Sequence, residues 1–246
     1  MLRARPVHFT SRMEPWERLL TDLGMVKTLD DDSWKEFDAW SGRLALQHTP
    51  SGTADDGVTS FGVEVGDPEE FARRTNLAGA ETGTTPAELV PPDIGDSCRI
   101  TGADGFSFMA DKAAHDVQCA GADPGLKVVA VWFTEDAAAA ANTLRSIGAR
   151  FRPVPDADET ADFTAKNGGV LMVRPGSGPA RSGFGFEYDG DLDALRDRLT
   201  AAGHQVSMTE EAFGRTLHVA NPDAAGGAAP GSHVPSTLWV SARRPV

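Results

Sequence analysis

Apolar positions along the chain recur with two periods, and the switches between those periods mark out its elements. In Glu14–Leu23, Trp16, Leu19, Leu20 and Leu23 share one helical face, and Gly24 ends the run. Short strands are predicted at Val7–Ser11 and around 26–30, 34–40 and 42–48. Thr59–Val65 alternates, with Phe61, Val63 and Val65 on one face and Gly62 and Glu64 on the other. Asp67-Pro68-Glu69-Glu70 then opens a helix to about Gly79, with Asp67 as N-cap, Pro68 first in the helix and acids in its first turn. Strands at 97–101 and 106–111 follow.

The same order returns further on. Lys127–Phe133 reads as a strand and Glu135–Ile147 as an alanine-rich helix ended by Gly148. Strands near 150–154, 160–166 and 169–174 come next. Gly183–Tyr188 is a strand and Leu192–Ala202 a helix ended by Gly203. Strands near 205–208, 215–220 and 236–242 close the chain.

Two echoes show that this is a repeat. Phe61-Gly-Val-Glu-Val is answered by Phe184-Gly-Phe-Glu-Tyr, 123 residues on, and Phe37-Asp-Ala by Phe163-Thr-Ala, 126 residues on. Each offset is about half of the 246-residue chain, so the whole chain reads as duplicated. Residues 1–113 and 126–246 are then two similar domains. Residues 114–125 form an Ala-, Gly- and Asp-rich linker, and Ala224–Ser232 is a flexible insertion with no counterpart in the first half. Each half is long enough to bury a core.

Charge breaks the symmetry. Residues 1–123 carry 11 Lys/Arg against 22 Asp/Glu, a net of −11; residues 124–246 carry 12 against 14, a net of −2. This balance offers no basic footprint for nucleic acid. It suits a solvated acidic surface, or attraction of a cationic ligand. No apolar run is long enough to span a bilayer, and no apolar stretch follows Met1-Leu-Arg-Ala-Arg as a secretory signal would require. Two cysteines, Cys98 and Cys119, make a poor disulfide framework. These features together predict a cytoplasmic protein with no membrane partner.

The chain resembles the vicinal oxygen chelate superfamily of glyoxalases, bleomycin-resistance proteins and extradiol dioxygenases. The marks are the strand–Asp–helix run Ser60–Asp67, the helix ends Leu23-Gly24 and Ile147-Gly148, and the turns Gly102-Ala-Asp-Gly105 and Asn221-Pro-Asp223. The resemblance implies an α+β fold of four βαβββ modules, forming two cupped, mixed β-sheet domains with helices on the outer face. It also implies that any metal ligands, usually His and Glu, lie on the first and last strands of the modules. Alignment by the helices puts those positions at Ala4, Ala45, Ser60, Met109, Val128, Leu171, Ser182 and Val240. None is a His, Asp or Glu, so the expectation is a protein with no metal and no cofactor.

Strand alternation predicts what lines each cup. In the first, these are His8, Trp34, Trp40, Arg43, Gln47, Glu64 and Arg99; Glu36 and Asp38 share the face of Trp34. In the second, these are Ala130, Trp132, Thr164, Lys166, Val173, Glu187 and His218. Glu64 and Glu187 are mid-strand carboxylates, which strands disfavour. Each reads either as a ligand-binding charge or general base, or as half of an ion pair that holds its sheet. His8 reads as an acid or base, or as a satisfied wall residue. Trp34, Trp40 and Trp132 read as stacking platforms for a flat or cationic ligand, or as packing. His115 and Cys119 are four residues apart in the linker, too few to make a metal site.

The leading expectation is a metal-free binding protein of the glyoxalase and bleomycin-resistance type. It would sequester an aromatic or cationic drug or metabolite, as a monomer or homodimer. The alternative is a lyase, isomerase or dioxygenase of the same superfamily, metal-dependent or acting by acid–base chemistry. The acidity and the tryptophans of the first half point to its cup as the binding site.

Overall fold

The computed structural model describes residues 1–82, 87–91, 95–116, 118–153, 160–211, 214–226 and 234–242. The first half runs β1 (Leu2–Ala4), β2 (Val7–Thr10), α1 (Met13–Asp22), β3 (Val26–Asp30), β4 (Trp34–Asp38), β5 (Arg43–His48), β6 (Thr59–Ser60), β7 (Gly62–Val65), α2 (Pro68–Thr82), β8 (Ala87–Leu89), β9 (Ser97–Thr101) and β10 (Ser107–Lys112). The second runs β11 (Leu126–Thr134), α3 (Ala137–Ser146), β12 (Arg150–Arg152), β13 (Ala161–Thr164), β14 (Val170–Pro175), β15 (Arg181–Tyr188), α4 (Leu192–Ala201), β16 (Val206–Glu211), β17 (Gly214–Ala220) and β18 (Thr237–Ala242). Aspartates open three of the helices as N-caps. Asp67 accepts from the Glu70 N–H at 3.0 Å, Asp136 from Ala139 and Asp191 from Asp193 and Ala194.

In the second half eight strands form one sheet, ordered β12-β13-β14-β11-β15-β18-β17-β16. The first half has two five-stranded sheets, β3-β4-β5-β2-β6 and β1-β7-β10-β9-β8. They are two parts of the same plan. Leu2 pairs with Val65 and His8 with Thr59 in one unbroken register, and the Arg5 N–H reaches the Gly62 carbonyl at 2.9 Å. The strand is interrupted at Pro6, which has no N–H to give the ladder. The fold is therefore α+β, with mixed, open sheets and four α-helices among the described residues.

In both halves the helices cover one face of the sheet and leave the other as a cup. The covered faces merge across the halves. One core joins Phe61, Val63, Val65 and Ile100 of the first half to Trp132, Leu144, Phe163 and Leu171 of the second. The other joins Trp16, Leu19, Phe37 and Leu44 to Phe186, Leu195, Leu217 and Val240. Cys98 sits within the first core, and burial, with Glu88 nearby, pushes its thiol up to about 11. Backbone contact joins the halves as well. Ser41 donates to the Leu126 carbonyl and its own carbonyl accepts from Val128. Gly42, at φ 92°, packs against Gly169, where a Cβ would meet the Gly169 Cα at 3.0 Å.

Two aspartates from equivalent turns bolt the halves together. Asp104 accepts from Trp132 Nε1 at 3.1 Å and Thr134 Oγ1 at 2.7 Å. Asp223 accepts from Trp16 Nε1 at 2.9 Å, Thr10 Oγ1 at 2.6 Å and His8 Nε2 at 2.7 Å. Sequence pattern alone did not predict the short edge strands β1 and β8. Most of the 224–232 insertion, and part of the 150–154 strand, lie outside the described residues.

Candidate functional site

The two cups are built alike and filled differently. Three arginines project into the first cup. Arg43 donates to Asp38 at 2.6 and 3.0 Å, to Glu36 at 2.9 Å and to Glu64 at 3.0 Å. Arg3 is paired with Glu64 and Arg5 with Asp111, and Arg5 lies over the Trp34 ring at 5.3 Å. His115 closes the cluster, its Nδ1 3.1 Å from Arg43. Arg3, Asp38 and Arg43 are fully buried. Burial works against the charge on Arg43, but Asp38, Glu64 and Glu36 outweigh it and hold its pKa above the ordinary arginine value. Charge fills the middle of this cup, and a space of about 550 Å³, open to solvent, lies beside Arg5, Trp34, Asp96 and Asp111.

The second cup is open. Its wall is Val129, Val131, Val170 and Met172, with Phe133 and Trp239 packed on them. Trp239 lies against Gly185, where a Cβ would run into the indole ring. A cavity of about 460 Å³ opens above Val131, Phe133 and Trp239 and extends to His8, Trp16 and Thr59 of the first half. At its rim Arg181 lies over the Phe133 ring at 4.2 Å. Behind Trp239 a smaller space of about 250 Å³ reaches Asp162, Arg174 and Glu187. Those carboxylates are taken. Arg152 binds both Glu187 and Asp162, and Arg174 donates to Asp162 at 2.6 Å. Glu187 is the main cause that raises the pKa of Arg152.

Several expected lining residues prove to be elsewhere. His8 is buried on the helix side of its strand, against Trp16 and Phe184, so it does not face the first cup, but it does reach the edge of the cavity. Trp132 is fully buried in the shared core, with Ala130 and Val173 beside it. Trp40 lies in the turn after β4 and is exposed. Arg43, Glu64 and Trp34 do face the first cup, as parts of its ion-pair cluster. Gln47 is at its rim, donating to the Ser33 carbonyl at 2.9 Å. Arg99 is an exposed residue of β9, beside Met109 of β10. Glu187 faces the second cup and is ion-paired; His218 lies near its edge, 2.9 Å from Thr209. The sequence points to the first half as the binding site; the cavity draws most of its lining from the second cup, with His8, Trp16 and Thr59 of the first half at its edge. The sequence reading missed Arg3, Arg5, Thr59, Asp111, Arg152, Asp162, Arg181, Asp223 and Trp239. The repeat was the available signal for Asp223, whose turn it had already paired with that of Asp104.

Of the eight aligned metal-ligand positions, Ala4, Val128, Leu171, Ser182 and Val240 lie on the helix side, one residue out of register. The true cup-facing positions do not restore a ligand set. In the second cup β11 presents Val129, Val131 and Phe133, β15 presents Gly183, Gly185 and Glu187, β14 presents Met172, and β18 presents Trp239 and Ser241. Among the described residues no group of three or more His, Cys, Asp and Glu is disposed to hold a metal ion. The donor set does not fit a catalytic metal, since Glu187 and Glu64 are each committed to arginine.

The α+β fold with its two cups is one found among solved structures of catechol dioxygenases. No protein-family model matches the chain, and no curated protein matches it by sequence. Solved structures do. A catechol 2,3-dioxygenase superposes with a TM-score of 0.62 at 14% identity, over 99% of this chain and 88% of that one. Homoprotocatechuate 2,3-dioxygenase from Arthrobacter globiformis gives 0.59 at 18% identity, covering 98% and 78%. The Brevibacterium fuscum homoprotocatechuate enzyme, in complex with 3,4-dihydroxyphenylacetate, gives 0.61 at 16%, covering 99% and 80%. At these identities the likeness is one of fold.

Proposed function

We propose that this protein is a metal-free small-molecule binding protein whose working site is the cavity of the second cup. The observation that carries the reading is the cavity itself: apolar and aromatic walls, a single charged rim residue and no free metal-ligand set. Arg181 is the one Lys, Arg, Asp or Glu among the lining residues described. The ligand class is therefore a flat aromatic molecule bearing a negative charge or a strong acceptor, with its ring on Phe133 and Trp239. A cationic ligand is disfavoured, because no carboxylate is among the lining residues described. The fold is shared with dioxygenases, but the cup positions that would carry their metal bear Gly, Val, Trp and an arginine-bound Glu. A reducing, cytoplasmic setting suits the two free thiols, Cys98 and Cys119. Among the described residues no helix is long and apolar enough to cross a membrane.

Titration of tryptophan fluorescence tests the reading, because Trp16 and Trp239 line the cavity. The probe is 3,4-dihydroxyphenylacetate, with dopamine as its cationic counterpart. Saturable quenching by the acid is expected, with weaker binding of the amine. Arg181→Ala is expected to weaken the acid about 10-fold, as befits one charge-assisted contact. Failure of anionic and neutral aromatic probes alike to saturate the signal would refute the proposal.

A further inference from the structure

The latch at Asp223 contains one more donor than the latch at Asp104. At the equivalent latch, Asp104 is satisfied by an indole N–H and a threonine hydroxyl, from Trp132 and Thr134. Asp223 has the same two partners in kind, Trp16 and Thr10. His8 is its third. His8 stands two residues before Thr10, as Trp132 stands two residues before Thr134, so an imidazole occupies the place of an indole. Trp16, which comes from α1 and not from the strand, is the donor that the other latch lacks, and its indole leaves the strand position free to carry an imidazole.

Its hydrogen bonds fix its tautomer. The Asp223 carboxylate accepts at Oδ2 from His8 Nε2, so Nε2 carries the proton. Nδ1 is then an acceptor, and 2.9 Å away is Thr59 Oγ1. Trp16 and Phe184 hold the ring between them, with centroids at 4.6 and 5.2 Å. Thr59 and His8 both line the cavity. The chain of contacts is hydroxyl, imidazole, carboxylate, ending in the space where a ligand sits. At the equivalent latch the position facing Trp132 is Ser182, whose hydroxyl has no imidazole beside it and donates instead to the Thr59 carbonyl.

We propose that Thr59, His8 and Asp223 form a nucleophilic relay and that the second cup hydrolyses small aryl esters without a metal. This rests on the cavity being the ligand site. Thr59 Oγ1 forms a bond to the ester carbonyl carbon while its proton passes to His8 Nδ1. The bond from that carbon to the aryl oxygen breaks, and the leaving phenolate takes the proton from Nδ1. Water then attacks the threonyl ester, giving its proton to Nδ1, and Thr59 recovers that proton as the acid departs. Asp223 stays ionised and holds the imidazolium that forms twice. Arg181 lines the same cavity as Thr59 and lies over the Phe133 ring.

The test uses the full chain and 4-nitrophenyl acetate. Saturable release of 4-nitrophenolate is expected, with a trapped acetyl group on the peptide that bears Thr59. Thr59→Val is expected to lower kcat about 100-fold or more, Thr59→Ser to retain turnover, and His8→Gln to behave as Thr59→Val. Binding of 4-nitrophenol, followed by tryptophan quenching, is measured on every variant. Saturable binding should persist in Thr59→Val, which also reports that this variant is folded. Unchanged turnover in Thr59→Val, acetylation confined to lysines, or bound nitrophenol with no turnover would each overturn the relay. Absence of nitrophenol binding in the unaltered protein would instead count against the cavity as the ligand site.

Discussion

Arg43→Met is expected to cost about 3–5 kcal/mol of stability, because it strands buried carboxylates without their cation. Arg43 is fully buried and donates to Asp38, Glu36 and Glu64 at once. Without it Asp38 keeps only the Gln118 N–H, 2.8 Å away, among its hydrogen bonds. For a chain of this length the loss corresponds to a fall of roughly 10 °C in Tm. Thermal and urea denaturation of the variant would measure it. A loss below about 1 kcal/mol would show that water reaches the cluster and screens it like a surface pair. The effect on ligand binding is expected to be small, since none of the cluster's residues lines the cavity.

Asp223→Ala should cost on the order of 3 kcal/mol by a different route. It leaves the buried hydroxyl of Thr10, the indole N–H of Trp16 and the imidazole of His8 without their shared acceptor. Its pH dependence has a definite sign. Burial alone would raise the pKa of Asp223, but hydrogen bonds from His8, Thr10 and Trp16 overcome it and hold the carboxyl below its ordinary value. A depressed folded-state pKa contributes stability that is complete above the ordinary carboxylate value of about 4 and is lost as pH falls through the lowered one. The stability gap between the unaltered chain and Asp223→Asn is therefore expected to be widest near neutrality and to narrow below about pH 4. A gap that held constant down to pH 2 would contradict this account.

The fold was legible because two of its signals are local and were written twice. Helix periodicity ended by glycine at Gly24, Gly148 and Gly203, and the alternation at Phe61–Val65 and Phe184–Tyr188, placed the main elements. The cup linings were harder, for a physical reason. Val7-His-Phe-Thr alternates, but its polar set faces the helices, where Asp223 awaits it, so reading polar as cup-facing put His8 on the wrong side. Lys127–Phe133 is buried on both faces and hardly alternates at all, which hid Trp132 in the core. Glu64 and Glu187 were placed on the correct face, and the ion-pair reading of each matches the arginines beside it. Their partners Arg3, Arg43 and Arg152 come from other strands, a long-range fact that local pattern cannot carry. Arg181 and Trp239 enter the cavity from strands more than fifty residues apart.

The shared cores carry a consequence for how the molecule comes apart. Each sheet closes its own hydrogen-bond ladder, which would suggest two bodies able to melt independently. Neither owns a complete interior. Phe61 and Val63 need Leu144 and Phe163, and Trp16 and Leu19 need Leu195 and Val240. Loss of either half strips the apolar cover from the other, so the two copies form one cooperative unit with a single melting event. The cavity, walled by residues of both copies, vanishes in that same event. A molecule bound there consequently holds the entire chain together, including the charged cup that it never touches.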